Sequence, residues 1–189
     1  MSSSELSDAA KERLLGIARE SILRELRSGE RLRVRPEDYE PELREPRASF
    51  VTLHRRGELR GCIGSLEATR ALVTDVCENA RAAAFSDPRF PPLAANEFDD
   101  LSLSISVLSP PVEMEFRDEA DLVSQLRPAI DGVVLREGAR RGTFLPSVWD
   151  SLPDRESFLA HLKLKAGLPA DYWSDTLRAY RYTTESFGG

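Results

Sequence analysis

The chain has 189 residues, of which 41% are hydrophobic and 31% charged, with a formal net charge of −6. Those values describe a globular chain long enough to bury a core, and the negative balance argues against a protein that binds nucleic acid over its whole surface. The apolar runs are short and interrupted, which excludes a membrane-spanning helix, and the start "MSSSELSDAAKERLL" lacks the basic and apolar regions of a secretory signal.

Residues 7–28 read as a helix, with Ser7 as N-cap, Asp8 at the positive end of the dipole and Gly29 as terminator. Leu15, Ala18, Ile22 and Leu26 recur near helical spacing and mark its apolar stripe. Residues 31–47, rich in proline and glutamate, read as an irregular connection. "ASFVTLHRRGELRGCIGSL" (48–66) reads as a β-hairpin turning at Arg56-Gly57. "TRALVTDVCENARAAAF" (69–85) reads as a helix with Leu72, Val73, Val76, Cys77, Ala80 and Ala84 on one face. Cys77 lies on that stripe and reads as a core residue.

The prolines of "SDPRFPPL" (86–93) end this helix, and the strict alternation of "LSLSISVL" (101–108) is the pattern of a strand with one buried face. A short helix follows around 118–126, then a second hairpin from about 131 to 145 around Gly138. Asp154 caps a helix over 155–166, and "LRAYRYTTESF" (177–187) reads as one final strand with Tyr180 and Tyr182 on one face.

A shift of 81 residues lays "RRGELRGCI" (55–63) over "REGARRGTF" (136–144) without a gap. Arg55, Gly57, Arg60 and Gly61 then coincide with Arg136, Gly138, Arg141 and Gly142, and Cys62 with Thr143. Hairpin, helix and strand follow in the same order in both halves, about 48–108 and 130–187. Two such units, each with an apolar sheet face to cover, are expected to form one domain over residues 1–189, with the helix of about 7–28 in front. The equivalence leaves two readings of Cys62 open. Either both halves need a small residue there for packing, or Cys62 is the functional copy of a site that decayed in the other half.

Several segments together resemble the AMMECR1 domain family. They are "LRGCIG" (59–64), "AAAFSDPRFPPL" (82–93), "LSISVLSPP" (103–111), "DGVVL" (131–135), "GTFLPSVW" (142–149) and "KAGLP" (165–169). The resemblance implies an α+β fold with a barrel-like, mostly antiparallel sheet built from two related hairpin–helix–strand halves and flanked by helices. It implies no established activity. It does imply a place as component A of a three-protein set, beside a dioxygenase-like Memo protein and a radical SAM protein. The motif positions carried over are Arg60, Gly61, Cys62, Ile63 and Gly64, then Asp87, Arg89, Phe90, Pro91 and Pro92; no role is carried onto His54.

Unbroken strand alternation would put Arg60 and Cys62 on one face, so a guanidinium could lie beside the thiol and lower its pKa. Asp87 or His54 would then complete a catalytic constellation. The competing reading makes Gly61 and Gly64 a site of close backbone packing, with Cys62 filling the small space left. His161 reads as a surface or capping group. Arg55, Arg56 and Arg60 on one hairpin, with Arg136, Arg140 and Arg141 on the other, are either solvated tips or the two sides of an anion site. No C-x-x-C, H-x-x-x-H or H-E-x-x-H motif is present, and neither a cysteine triplet for an iron–sulfur cluster nor a P-loop, so no metal and no cofactor is expected.

The sequence therefore predicts an accessory or binding component of the cytoplasm, with free thiols. Its cleft lies around Arg60, Cys62, Asp87 and Arg89, with Gly61, Gly64, Phe90 and Arg141 as further binding residues, and holds a small anionic ligand or a partner segment. The alternative is an enzyme with Cys62 as nucleophile, working beside oxidative or radical partners.

Overall fold

The structure, a computed structural model, describes residues 5–189; the first four residues of the N-terminal stretch read above lie outside it. In chain order the elements are α1 (Asp8–Ser28), α2 (Pro41–Arg44), β1 (Ser49–Arg55), β2 (Glu58–Gly64), α3 (Leu72–Phe85), β3 (Leu101–Leu108), β4 (Val112–Glu113), α4 (Glu119–Gln125), β5 (Gly132–Glu137), β6 (Arg140–Phe144), α5 (Arg155–Lys165), β7 (Arg178–Tyr182) and β8 (Thr184–Gly188). The described residues fall into two compact units, residues 5–108 with 185–189, and residues 109–184.

In the first unit α1 starts where local chemistry dictates. Ser7 is extended and its Oγ accepts the Ala10 N–H at 3.1 Å, while Gly29, left-handed at φ 72°, returns its N–H to the Glu25 carbonyl at 2.9 Å. The buried stripe runs through Ala10, Leu14, Ile17, Ala18, Ser21 and Ile22, so Ala18 and Ile22 lie on it as expected while Leu15 and Leu26 sit at its half-buried margin. This helix packs on α3, and Ser21 Oγ donates to the Cys77 carbonyl at 2.8 Å. Cys77 is buried, and burial raises its thiol pKa.

The first sheet has the strand order β2-β1-β3-β8. Its inner face presents Val51, Leu53, Leu103, Ile105 and Val107 to α1 and α3, all buried. Its outer face is half-buried and carries Phe50, Thr52 and His54 on β1, Cys62 on β2, and Ser102, Ser104 and Ser106 on β3. A buried polar knot fastens α3 to the start of β1. Asp75 accepts from Ser49 Oγ at 2.6 Å, and from Ser65 Oγ and Arg70 Nε at 2.8 Å each. Asn79 Nδ2 donates to the Ser49 carbonyl and to Asp75, both at 3.0 Å. Every carboxylate oxygen there is satisfied, which is the condition for burying it.

The second unit has the strand order β4-β7-β5-β6, covered by α4 and α5. Trp149 stacks on Phe158 at 3.7 Å with the rings 2° apart, and Phe144 meets Phe158 edge-on at 5.3 Å. Asp154 caps α5 through Ser157 N at 2.9 Å. Buried Asp131 is paired with Arg127 at 2.7 Å and Arg181 at 3.0 Å, and its carbonyl accepts Trp149 Nε1 at 2.8 Å.

Two expectations are corrected. The described residues form no closed barrel but two separate four-stranded antiparallel sheets, because each hairpin recruits its own third strand, β3 on β1 and β7 on β5. The single final strand is broken at Thr183, where the backbone bonds Ser109, and its two pieces join different sheets.

Gly61 of β2 sits against α3 so closely that an added Cβ would lie 2.1 Å from the Ala83 carbonyl oxygen, a backbone atom that cannot swing aside. Gly16, exposed in the middle of α1, has nothing within 4 Å of its Cβ position. Gly61→Ala is expected to destabilise the fold by about 1–3 kcal/mol through overpacking, whereas Gly16→Ala should stabilise it by roughly 0.5–1 kcal/mol through helix propensity. Urea unfolding of the two variants measures both. A neutral Gly61→Ala would show that β2 does not depend on this approach.

Candidate functional site

The first hairpin turns at Arg56 and Gly57, with φ of 53° and 80°, the conformation of a two-residue type I′ turn. Thr52 pairs with Cys62 and Leu53 with Gly61, but His54 pairs with Leu59, so the ladder skips Arg60. This β-bulge overturns the expected sharing of a face by Arg60 and Cys62, since alternation fails where one strand holds an extra residue. The bulge sends the Arg60 guanidinium to Glu97, with Nε–Oε1 at 2.9 Å and Nη2–Oε2 at 3.2 Å, and to the Pro91 carbonyl at 2.8 Å. Phe90 lies 5.8 Å beneath it. The Glu97 carboxyl is held below its usual range, first by Arg60 and then by the Ala94 N–H. Arg55 reaches Glu97 at 3.6 Å and Asp100 at 3.3 Å, and Arg56 reaches Asp100 at 3.1 Å.

A second clamp grips Cys62 itself, through its backbone. Asp87 Oδ2 accepts the Cys62 N–H at 3.0 Å and Arg89 Nη2 at 2.8 Å, while Oδ1 accepts the Arg89 N–H and Nε at 3.1 Å each. Arg89 Nη2 also leans toward the Cys62 carbonyl at 3.5 Å. The Asp87 side chain is only 2% exposed. Arg89 first, with the two backbone N–H groups, holds its carboxyl well below the ordinary carboxylate range. Phe90 is placed by this turn, its N–H bonded to the Asp87 carbonyl at 3.1 Å, and its ring lies under Arg89 at 5.5 Å.

The thiol of Cys62 has Thr52 Oγ1 at 3.3 Å across the strand pair, and Thr52 pairs in turn with Ser104. A row of thiol and hydroxyl groups thus crosses the outer face, with His54 and Ser102 in the next row. Asp87 meets the backbone of Cys62, not its sulfur.

The structure therefore brings Arg60, Gly61, Cys62, Asp87, Arg89 and Phe90 into one cluster, and Gly64 ends the same strand under the Phe50 ring, 2.2 Å from where a Cβ would lie. Arg141 belongs to the second unit, on β6 opposite Arg136. His161 is exposed on α5 and bonded to the Ser157 carbonyl. Glu97 and Thr52, unassigned by the sequence motifs, prove to be the partners of Arg60 and Cys62. Among the described residues no three His, Cys, Asp or Glu side chains converge as metal ligands do.

Because the Asp87 carboxyl titrates lower folded than unfolded, its stabilisation is complete above the unfolded value of about 3.9 and is lost as pH falls toward the folded one. Asp87→Asn should cost about 1–3 kcal/mol at pH 7, and the gap to wild type should narrow below about pH 4. Urea titrations at pH 7, 5 and 3.5 test this, and a gap independent of pH would remove the charge of Asp87 from the account.

The AMMECR1 family model matches residues 15–187. A protein of Methanothermobacter thermautotrophicus is 40% identical over 180 residues, covering 92% of this chain and 91% of its own. One of Thermotoga maritima is 39% identical over 158 residues, covering 82% and 86%. The crystal structure of an uncharacterised protein from Pyrococcus horikoshii aligns with a TM-score of 0.85 at 35% identity, over 97% of this chain and 93% of that one. With a motif strand, a proline-rich turn and two sheets that fit one family model across nearly the whole length, this chain belongs to the AMMECR1 family.

Proposed function

We propose that this protein is a binding or accessory component, and that the outer face of the first sheet around Cys62 holds a segment of its partner. One observation carries this reading: the charged residues of the site are occupied in shaping the backbone. Four guanidiniums share three carboxylates: Arg60 and Arg55 meet Glu97, Arg89 meets Asp87, and Arg55 and Arg56 meet Asp100, so most of their charge is balanced within the protein. A matched guanidinium attracts an anion weakly, so the support for a small anionic ligand gives way to a partner segment. Beside Phe50, the outer face carries Cys62, Thr52, His54, Ser102 and Ser104, polar groups suited to hydrogen bonding along a docked chain. Memo-like and radical SAM proteins are the partners proposed. Both thiols are free, which suits the reducing cytoplasm proposed as its setting. The shared strand order of the two units, together with Gly61 and Gly142 each lying against a helix or its end, supports an ancient duplication.

Nucleophilic use of Cys62 is the second reading, favoured by its half-exposed position on this face. Iodoacetamide separates the two. Cys62 should alkylate in the folded Cys77→Ala protein at pH 7 at about the rate of a free small thiol; a rate some tenfold or more higher, the mark of an activated thiolate, would move the assignment to an enzyme. Gel filtration with purified Memo-like and radical SAM proteins from the same genome tests the partner. Co-elution lost in Cys62→Trp is expected, and no co-elution with either protein overturns the docking.

A further inference from the structure

The turn after α1 carries a second, unrelated surface. Residues 31–35 alternate exposed Arg31, Arg33 and Arg35 with half-buried Leu32 and Val34, the pattern of an extended chain. Leu32 and Val34 pack on the core of the first unit, and the Leu32 carbonyl receives the Cys77 thiol at 3.6 Å. The segment is therefore pinned along one side, yet it belongs to neither sheet. Among the described residues, the main-chain N–H groups of residues 31–34 meet no acceptor in the protein. A stretch that alternates as an extended chain does, and whose main-chain N–H groups are unpaired, is a template for a further strand.

The side chains beside that edge are basic. Arg24, Glu30, Arg31, Leu32 and Arg33 line a groove of about 480 Å³. A neighbouring groove of about 300 Å³ shares Arg24 and Glu30 and adds Arg27. Arg24 and Glu30 form an exposed pair at 3.3 Å, which solvent makes cheap to exchange. Arg31, Arg33 and Arg27 have no carboxylate partner among the described residues. Unlike the arginines at the Cys62 site, these are unmatched.

The geometry points to an extended acidic segment of a partner protein, laid as a strand along residues 31–35 with its alternate carboxylates on Arg31 and Arg33. The match is one of period: side chains two apart on an extended chain recur every ~6.6 Å on both members of a strand pair. The occupant is a peptide and not a nucleic acid because the positive stretch is short, is bordered by Glu20 and Glu30, and sits on a chain of net charge −6.

The test is fluorescence anisotropy with a labelled Glu-Val-Glu-Val-Glu peptide, blocked at both ends. Binding to wild type is expected, with roughly tenfold weakening on raising NaCl from 0.05 to 0.5 M and a similar loss in Arg31→Glu/Arg33→Glu. Because both arginines are exposed, an unchanged thermal melt should accompany that loss. Arg31→Ala/Arg33→Ala gives the same reading should charge reversal disturb the fold. A peptide N-methylated at alternate residues should lose binding through the blocked main-chain pairing. No binding of the parent peptide, binding indifferent to both double variants, full binding of the methylated peptide, or tighter binding of a thymidine decanucleotide would each overturn the assignment.

Discussion

Where β2 passes α3 there is no room for a side chain, and much of the first unit follows from that contact. The Gly61 backbone lies against the Ala83 carbonyl, so the strand immediately before Cys62 has its position set by a helix. An extra residue cannot be absorbed on the helix side, and the bulge at Arg60 takes it up one position earlier. That in turn directs the guanidinium of Arg60 to Glu97 and the Pro91 carbonyl. The proline-rich turn, whose stiffness comes from Pro88, Pro91 and Pro92, is thereby tied to the hairpin at one end by Arg60 and at the other by Asp87. Arg60 and Asp87, which the sequence places near the thiol, brace the backbone of the turn and the strand.

The same constraint explains why the two hairpins do not superimpose without a gap. Residues 54–60 lie between Leu53 and its partner Gly61, whereas 136–141 lie between Leu135 and its partner Gly142, one residue fewer. The shift of 81 residues that aligns β2 with β6 therefore misaligns β1 with β5 by one. Arg60, as the bulged residue, has no counterpart in register, and Arg141 sits in regular pairing opposite Arg136. Two arginines matched by sequence occupy different backbone environments, so a role argued for one does not transfer to the other.

Features set by neighbouring residues were legible in the sequence. The ends of α1 follow from Ser7 and Gly29, and the turn of the first hairpin from Arg56-Gly57, because caps and tight turns depend on a few adjacent residues. Features set by distant residues were not. Asp75 and Asn79 occupy a helix face that amphipathic patterning assigns to hydrocarbon or to water, and only Ser49, Ser65 and Arg70 make their burial affordable. The link of Arg60 to Glu97 spans 37 residues, and nothing local marks that glutamate. The break at Thr183 was hidden for a related reason: an unbroken run of strand-forming residues says nothing about which sheet each part joins.

The opening ambiguity of Cys62 narrows when it is set beside Thr143. Both follow a glycine that packs against a helix or its end, and both face away from that helix. In each unit an aromatic ring covers a glycine on this outer face, Phe50 over Gly64 and Tyr182 over Gly132, the cross-strand arrangement that restores packing where a glycine leaves a gap. The difference lies in the ring. Tyr182 carries a hydroxyl 3.1 Å from Thr143 Oγ1 and 3.1 Å from the Phe144 carbonyl, and Thr143 Oγ1 lies 3.0 Å from the Val133 carbonyl, so one hydroxyl donates to the other, which passes its own proton to a carbonyl. Thr143 is thus buried and its hydroxyl fully used. Phe50 offers no such group, and Cys62 is left half-exposed with the Thr52 hydroxyl beside its sulfur. Packing alone accounts for a small residue at either position, but it does not account for leaving one of them presented; that asymmetry sets the outer face at Cys62 apart from the matching position in the second unit.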